Sequence, residues 1–270
     1  MIGNIHLSQS LKGIFLKLWL LCGTLFTFEM LFVILGTSAQ IYQGIMKDMD
    51  DIPPIVEKMF GKEFLGAIVQ YGIIAFGYIH PFMYIPFIVF LFITASQMVT
   101  SEISSGAIGF TLSKPVSRKR IYVNMAITSY LGLGLLALFA YGSSALGIVL
   151  FHGEKLSTAP FGELAWNLFL LMAFIAGYIA IFAAVSDTGK VLFTSGGIVL
   201  FVFYILGMAA PLWKPLKLLA PINPFSYYSP MAILAGGRVG VTKSVSLLVI
   251  SIFMFIIGGW LFSRRDLASG

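Results

Sequence analysis

The sequence predicts an all-α polytopic membrane protein, and three observations lead to this fold class. Apolar residues make up 59% of the 270 residues and charged residues 10%, against about 45–50% and about 25% in an ordinary soluble domain. The mean hydropathy is +0.95. The apolar runs are long and do not alternate as strands do, which indicates spanning helices and not a barrel. This composition excludes a disordered chain, a coiled coil, a collagenous chain and a disulfide-stapled module.

The apolar runs predict six transmembrane helices, since a spanning helix needs roughly 20 mostly apolar residues. We place them at about 18–39, 73–100, 121–150, 164–185, 191–210 and 245–262, within one transmembrane domain over residues 1–270. The second and third runs exceed the thickness of the hydrocarbon slab. Tilting, or extension into water, would accommodate the excess length.

The segment before the first span predicts an amphipathic helix that lies in the membrane interface. Its apolar residues fall mostly on one side of a helix, with Ser8, Ser10 and Lys12 off that side. The alternative is that this segment is simply the start of the first span. Lys12 and Lys17 before an apolar run also fit a signal peptide, but the length of the run and Glu29 within it favour a span that is retained.

Three connections between spans are informative. Residues 40–70 form a long segment that opens on acidic residues and is predicted to be external, and residues 101–120 form a polar, basic loop. Residues 211–242 contain five prolines among apolar residues, a density that prevents a simple helix. We interpret this last stretch as an external, partly re-entrant hairpin before the last helix. The alternative is an ordinary proline-rich loop with interfacial aromatic anchors such as Trp213, Tyr227 and Tyr228.

Six spans would place both termini on one side of the membrane. Nine Lys and Arg residues fall on that side and eight on the other, so the count hardly decides the orientation. Two runs of basic residues, 118–120 and 264–265, each lie beside the end of a span. Because basic residues favour the cytoplasmic side, these runs favour cytoplasmic termini. The formal charge of +6 is interpreted as basic residues attracted to anionic lipid, and nucleic acid is not an expected partner.

The sequence lacks the motifs of a catalytic or metal site, so neither is predicted. There is no HExxH, no GxSxG and no metal-spaced Cys/His cluster, and the single cysteine, Cys22, cannot form a disulfide within the chain. Residues 187–190 read like a fragment of a phosphate-binding loop. Ala184 and Val191 stand where that loop needs glycine and Ser or Thr, so we expect no cofactor and no ATP to bind in that way.

Two local features of the spans concern their shape and packing. Pro81 after His80 predicts a kink in the second span, because proline removes a helix hydrogen bond. Small residues at helical spacing are predicted to let neighbouring spans pack closely. In the third span these are Gly132, Gly134, Gly142 and Gly147.

Glu29 is an ionisable residue near the middle of the first span. A carboxylate at that depth costs a few kcal/mol unless it is protonated, paired or hydrated. One interpretation is that Glu29 faces a transport pathway or a subunit interface. The other is that it makes a hydrogen bond to a neighbouring helix, and the sequence leaves both open.

The basic loop and its flanks carry the most specific pattern in the chain. Glu102 ends a span at the water boundary, Gly106 allows a turn, and Pro115 stops any helix before the basic cluster. This pattern resembles the loop between the second and third spans of ABC-2 type permeases, the transmembrane subunits of one class of ABC transporter. The residues that carry the resemblance are Glu102, Gly106, Leu112, Pro115, Ser117 and Arg118.

The resemblance extends to the layout of six spans, the hairpin before the last one and the sequence Asn223-Pro224-Phe225. The acidic first external segment is similar to the branch containing the permease of nitrous-oxide reductase maturation. Ala107 departs from the family, which usually has Thr there, and Asn124 replaces a frequent Lys.

By resemblance the chain would be a multi-pass permease in a bacterial or archaeal plasma membrane, working as an exporter. It would pair with a second copy or a sibling, in contact with membrane lipid. Two separate ATPase subunits would hold ATP and Mg²⁺ and dock on loop 101–120 and the N-terminal segment. Coupling would run through Glu102, Gly106, Pro115 and Arg118, and this chain would not itself be an enzyme.

The alternative is a membrane protein that needs no ATPase, either a secondary carrier or an intramembrane enzyme. A carrier should show ionisable residues in several spans and often internal repeats. An enzyme should show converging acids, histidines or a nucleophile motif. The sequence offers Glu29 and no clear repeat or motif, so the permease is the preferred hypothesis.

Overall fold

The protein is described from a computed structural model that covers residues 2–36, 71, 73–100, 118–151, 156–210 and 212–265. Eight α-helices occur in these residues, and we number them in chain order. They are α1 (Ile2–Gly36), α2 (Ile74–Ile79), α3 (Tyr84–Ala95), α4 (Arg118–Phe151), α5 (Ala159–Val185), α6 (Gly189–Ala209), α7 (Pro230–Leu234) and α8 (Val241–Arg264).

In the described part of the chain, six helical stretches are long and apolar enough to cross a membrane, which confirms the predicted all-α fold with six spans. They are Lys12–Gly36, Pro81–Thr100, Lys119–Phe151, Ala159–Val185, Gly189–Ala209 and Val241–Arg264. The predicted spans overlap these six stretches, and most of their ends differ by a few residues. The larger differences are at the first span, which starts at residue 12 and not 18, and at the second, which starts at residue 81 and not 73. The connections 40–70 and 101–117 lie outside the described residues.

The N-terminal segment is helical, but it is not separated from the first span. α1 runs without interruption for 35 residues, about 52 Å at 1.5 Å per residue. This exceeds the roughly 30 Å of a hydrocarbon slab. The segment before Lys12 is therefore continuous with the first helix and precedes the stretch that could span the membrane. Its position in the membrane interface stays a prediction.

The second predicted span is divided at His80, at the place where Pro81 predicted a kink. His80 adopts an extended backbone, with φ −67° and ψ 137°, and its Nδ1 accepts a hydrogen bond from the amide of Phe82. A short 3₁₀ turn, Pro81–Met83, then leads into α3. The proline thus ends one helix and starts the next, so that α2 forms a separate short helix.

The span α5 lies at the centre of the bundle and α6 at its periphery. Within an 18-residue hydrophobic window of each helix, the buried share is 72% for α5 and 17% for α6. α5 packs most extensively on α8, where a methyl group added at Gly177 would lie 2.8 Å from the backbone oxygen of Ser251. Close backbone approach through small residues is how membrane helices pack without a hydrophobic driving force.

Contacts between helix ends show that α4 runs in the opposite direction to both α5 and α8. Tyr122 near the start of α4 contacts Phe262 near the end of α8, and Arg265 bonds to the carbonyl of Ala184 at the end of α5. We call this end of the bundle the terminal side. At the opposite end, Trp166 of α5 bonds to Ser244 of α8, and we call this end the hairpin side.

Two of the four glycines predicted to mediate packing do so. A methyl group at Gly132 would overlap the ring of Phe90 in α3, and one at Gly147 would lie 2.7 Å from Cγ1 of Val33 in α1. Gly134 and Gly142 have open space at the same position. Glycine spacing alone does not show which side of the helix meets a neighbour, and half of this prediction was wrong for that reason.

The proline-rich segment forms a chain of short helices on the hairpin side, which confirms that no simple helix forms there. It contains the 3₁₀ helices Lys214–Leu219 and Pro224–Tyr227, followed by α7. Asn223 stabilises the turn between them, because its side-chain oxygen accepts from the amide of Phe225 and its NH₂ group donates to the carbonyl of Phe203. We call residues 212–240 the hairpin.

Candidate functional site

Glu29 lies inside the bundle, in the hairpin-side half of α1. Its side chain has no solvent exposure within the chain. It stands seven residues before the end of α1, or about 10 Å along the helix axis. The carboxyl group therefore points at other helices of the same chain and not at an outward-facing surface.

Ser144 of α4 is the hydrogen-bond donor that the described residues offer to Glu29. Its Oγ lies 3.4 Å from Glu29 Oε2, 3.3 Å from the hydroxyl of Tyr78 and 3.2 Å from the carbonyl of Ala140. Tyr78 donates its own proton to Ala140 O at 3.0 Å. Because a serine hydroxyl carries one proton, Ser144 can serve one of its three neighbours at a time.

The second carboxyl oxygen of Glu29, Oε1, is buried and has no hydrogen-bond partner among the described residues. It is held against the backbone of Gly77 in α2, where a methyl group would lie 2.8 Å from Glu29 Cδ. Glycine is thus the residue that leaves room for the carboxyl. An ionised carboxylate here would be costly, because one shared hydrogen bond replaces its hydration.

The network reaches the hairpin through Tyr228. Its hydroxyl donates to the backbone oxygen of Tyr78 at 3.0 Å, and its ring packs edge-on against Tyr84, with centroids 5.7 Å apart. Glu29, Ser144, Tyr78 and Tyr228 therefore connect α1, α4, α2 and the hairpin. We call these four residues the Glu29 network.

Asn167, in the first third of α5 on the hairpin side, fixes the hairpin independently. It is fully buried, its NH₂ group donates to the carbonyl of Tyr227 at 3.1 Å, and its side-chain oxygen accepts from the amide of Ser229 at 3.0 Å. One side chain thereby satisfies backbone groups on both sides of Tyr228. This arrangement holds Tyr228 in place above Tyr78.

On the terminal side, the segment that resembles part of a phosphate-binding loop begins a helix. Thr188 Oγ1 accepts from the amide of Val191 at 3.2 Å and so caps α6. Asp187 forms an ion pair with Arg265 after α8. Arg265 also donates to the carbonyls of Ala184 and Ser186, which joins the ends of α5 and α8.

The structure places the predicted site residues in two groups. Glu29 is described, and the predicted alternative of a hydrogen bond to a neighbouring helix is present as its contact with Ser144. Glu102, Gly106 and Pro115 lie outside the described residues, and Arg118 is the first residue of α4. The coupling role therefore stays a prediction.

Sequence reasoning did not assign Tyr78, Ser144, Asn167 or Gly77 to a site, and it named Tyr228 as an interfacial anchor. A polar residue inside an apolar span could have pointed to Asn167 and Ser144. No comparable signal marks Gly77, whose role depends on which helix lies opposite. Among the described residues, no three His, Cys, Asp or Glu side chains lie close enough together to hold a metal ion.

Comparison with models of protein families and with curated proteins found no match to this chain.

Proposed function

We propose that this chain is the permease subunit of an ATP-driven transporter of the ABC-2 class, working as an exporter. The observation that carries the proposal is the course of α4. This helix starts at Arg118, within the last three residues of the predicted loop 101–120, and runs unbroken for 34 residues to the hairpin side. On the way Ser144 contacts Glu29 and Tyr78, so α4 connects the loop to the buried network.

A rigid helix is a suitable carrier of force between two membrane faces. From Arg118 to Ser144 is about 39 Å along α4. The other end of the loop meets a π-helical stretch, Ser96–Thr100, a type of turn that often occurs at functional sites. A push on the loop would move α4 at one end and the Glu29 network, with the attached hairpin, at the other.

The hairpin supports the same proposal, because its broken helices before the last span resemble those of ABC-2 permeases. In the proposed assembly two such chains, or one with a sibling, form the pathway. Two ATPase subunits bind ATP and Mg²⁺ at the cytoplasmic face and act through Glu102, Gly106, Pro115 and Arg118. Closure of the ATPases would open the pathway to the outside.

The proposal is tested by isolating the complex from its native membrane in mild detergent. We expect an ATPase with a phosphate-binding loop to co-elute, with one ATPase subunit for each permease chain in the complex, and to hydrolyse ATP. Glu102→Ala combined with Arg118→Ala should uncouple transport from ATP hydrolysis while membrane insertion is retained. Lys190→Ala, at an exposed site on the terminal side, is the matched control.

Full transport by the double variant would contradict the assigned coupling residues. Absence of any ATPase from the complex of the unaltered chain would contradict the permease itself.

A second candidate is an ion-coupled secondary carrier, which the burial of Glu29 favours. Ionisable residues inside membrane bundles frequently bind protons or ions during transport. If Glu29 carries the coupled proton or ion, the chain reconstituted without any ATPase should transport in response to an ion gradient, and Glu29→Gln should abolish that transport. For the ATP-driven permease we expect no transport without the ATPase.

A further inference from the structure

A groove of about 550 Å³ opens on the terminal-side half of the bundle, between α4 and α8. Its volume is in the range of small-molecule sites, about 300–1,000 Å³. Val123 and Ile127 of α4 form one wall, and Ile256 and Trp260 of α8 form the other. All four side chains are exposed within the chain, so the groove is open towards the surrounding membrane.

The floor of the groove contains two tyrosines whose hydroxyl groups are already engaged. Tyr122 OH donates to the carbonyl of Ala180 in α5, and Tyr130 OH lies 2.7 Å from Ser251 Oγ of α8. Both hydroxyl groups are used within the bundle, so the rings offer the groove mainly carbon. The floor therefore suits a hydrocarbon occupant and gives little to a polar one.

Cationic side chains stand at the terminal-side end of the groove. Lys119, one residue after the start of α4, lines it. The guanidinium carbon of Arg264 lies 4.4 Å from the centroid of the Trp260 ring, which also lines it. Lys119 and Arg264 are both exposed. The apolar groove thus ends in a positively charged mouth.

The dimensions match one leaflet of a bilayer. The lining of α4 runs from Lys119 to Tyr130, which is about 17 Å along the helix. The hydrocarbon of a single leaflet is about 15 Å thick. A lipid chain could therefore lie along the groove while its head group remains at the height of the cations.

We propose that the groove between α4 and α8 binds an anionic phospholipid. One acyl chain lies along the groove, and the phosphate is bound by Lys119 and Arg264. The charge at the mouth selects an anionic head group over a zwitterionic one, because each cation near the membrane surface favours anionic lipid by about fivefold. This site is independent of the proposed transport function, since it needs no ATPase and no residue of the Glu29 network.

The experiment uses Trp260 as the reporter. The full-length chain with Trp19, Trp166 and Trp213 changed to Phe is placed in phosphatidylcholine vesicles. These contain a minor fraction of brominated-chain phosphatidylglycerol or, in parallel, of brominated-chain phosphatidylcholine. Bromine quenches tryptophan on contact. We expect the apparent association constant at Trp260 to be at least about fivefold higher for phosphatidylglycerol.

Two pairs of variants separate charge from shape. Lys119→Gln with Arg264→Gln should bring the ratio of association constants near one, whereas Lys190→Gln, an exposed lysine on the same side, should leave it unchanged. Gly259→Leu should fill the groove and reduce quenching by both lipids, because Gly259 lines it. Gly197→Leu, where a methyl group meets nothing within 4 Å, is the matched control in α6.

Native mass spectrometry of the unaltered chain, released from bilayers of mixed lipids, provides a second measurement that needs no tryptophan substitution. Retention of phosphatidylglycerol above its bilayer fraction would support the site. Equal association of the two lipids, a ratio unaffected by the double charge variant, or quenching that falls as protein density rises would overturn it. The last result would mean that a second copy of the chain covers the groove.

Discussion

Glu29 shows how one buried polar residue constrains its neighbours. The carboxyl occupies the space that a side chain at position 77 would need, and it shares the single proton of Ser144 with two other acceptors. Its position therefore depends on a glycine in α2 and a serine in α4. Either could be replaced without changing the hydropathy of the span by much, although the packing would change.

The close contact at Gly77 leads to a testable prediction. Gly77→Ala should destabilise the protein by about 1–3 kcal/mol, as overpacking does in well-packed cores, measured as the free energy of unfolding in mixed micelles. Gly142→Ala in α4, where a methyl group meets open space, should be neutral or stabilising, because alanine favours the helix.

A double-mutant cycle identifies the cause of that destabilisation. With Glu29→Ala already present, most of the cost of Gly77→Ala should disappear, because the methyl group then has room. An undiminished cost would show that the methyl group disturbs something other than the carboxyl.

At the scale of elements, the attachment of the hairpin depends on backbone groups satisfied by side chains of the spans. Asn167→Ala should leave the carbonyl of Tyr227 and the amide of Ser229 without their partner, at a cost of about 1–3 kcal/mol for each. Hydrogen–deuterium exchange of residues 212–240 should rise, while exchange in α5 stays low. Ser226→Ala, an exposed position in the same hairpin, should leave exchange unchanged.

A uniform rise in exchange over all helices would argue against a local detachment of the hairpin. It would show instead that Asn167 supports the whole bundle.

At the terminal-side junction of α5 and α8, two variants distinguish the stabilisation by the ion pair from the stabilisation by hydrogen bonds to the end of α5. Asp187→Asn should change the free energy of unfolding by less than about 1 kcal/mol, because the Asp187 side chain is 77% exposed. Arg265→Gln should cost more, about 1–3 kcal/mol, because the carbonyls of Ala184 and Ser186 also lose their donor. Equal effects of the two variants would mean that the ion pair dominates.

The sequence was a good guide to elements whose cause is local. Each span is recognisable because hydropathy accumulates over about 20 residues, and the break at His80 is recognisable because Pro81 lacks an amide proton. The hairpin was predicted for the same reason. The start of α1 was harder to predict, since an amphipathic segment and the first turns of a long helix have the same pattern.

At the scale of the whole molecule, the partners of buried side chains could not be predicted. Whether Glu29 meets Ser144 or lipid depends on how α1 and α4 rotate about their axes, and rotation is set by packing against all neighbours at once. Gly132 and Gly134 illustrate this, since two residues in one helix differ in whether another helix lies against them.

The orientation of the bundle in the membrane is the remaining whole-molecule prediction, and Cys22 makes it testable. This single cysteine is buried with no exposure, so a membrane-impermeant maleimide should not react with the unaltered chain. Leu218 in the hairpin is 83% exposed, and Lys190 is exposed on the terminal side. We expect Leu218→Cys to be labelled in intact cells, and Lys190→Cys only after the membrane is permeabilised.

The reverse pattern would put the terminal side, with the loop before Arg118, outside the cell. The loop would then be unable to meet a cytoplasmic ATPase, and the ATP-driven mechanism would be refuted.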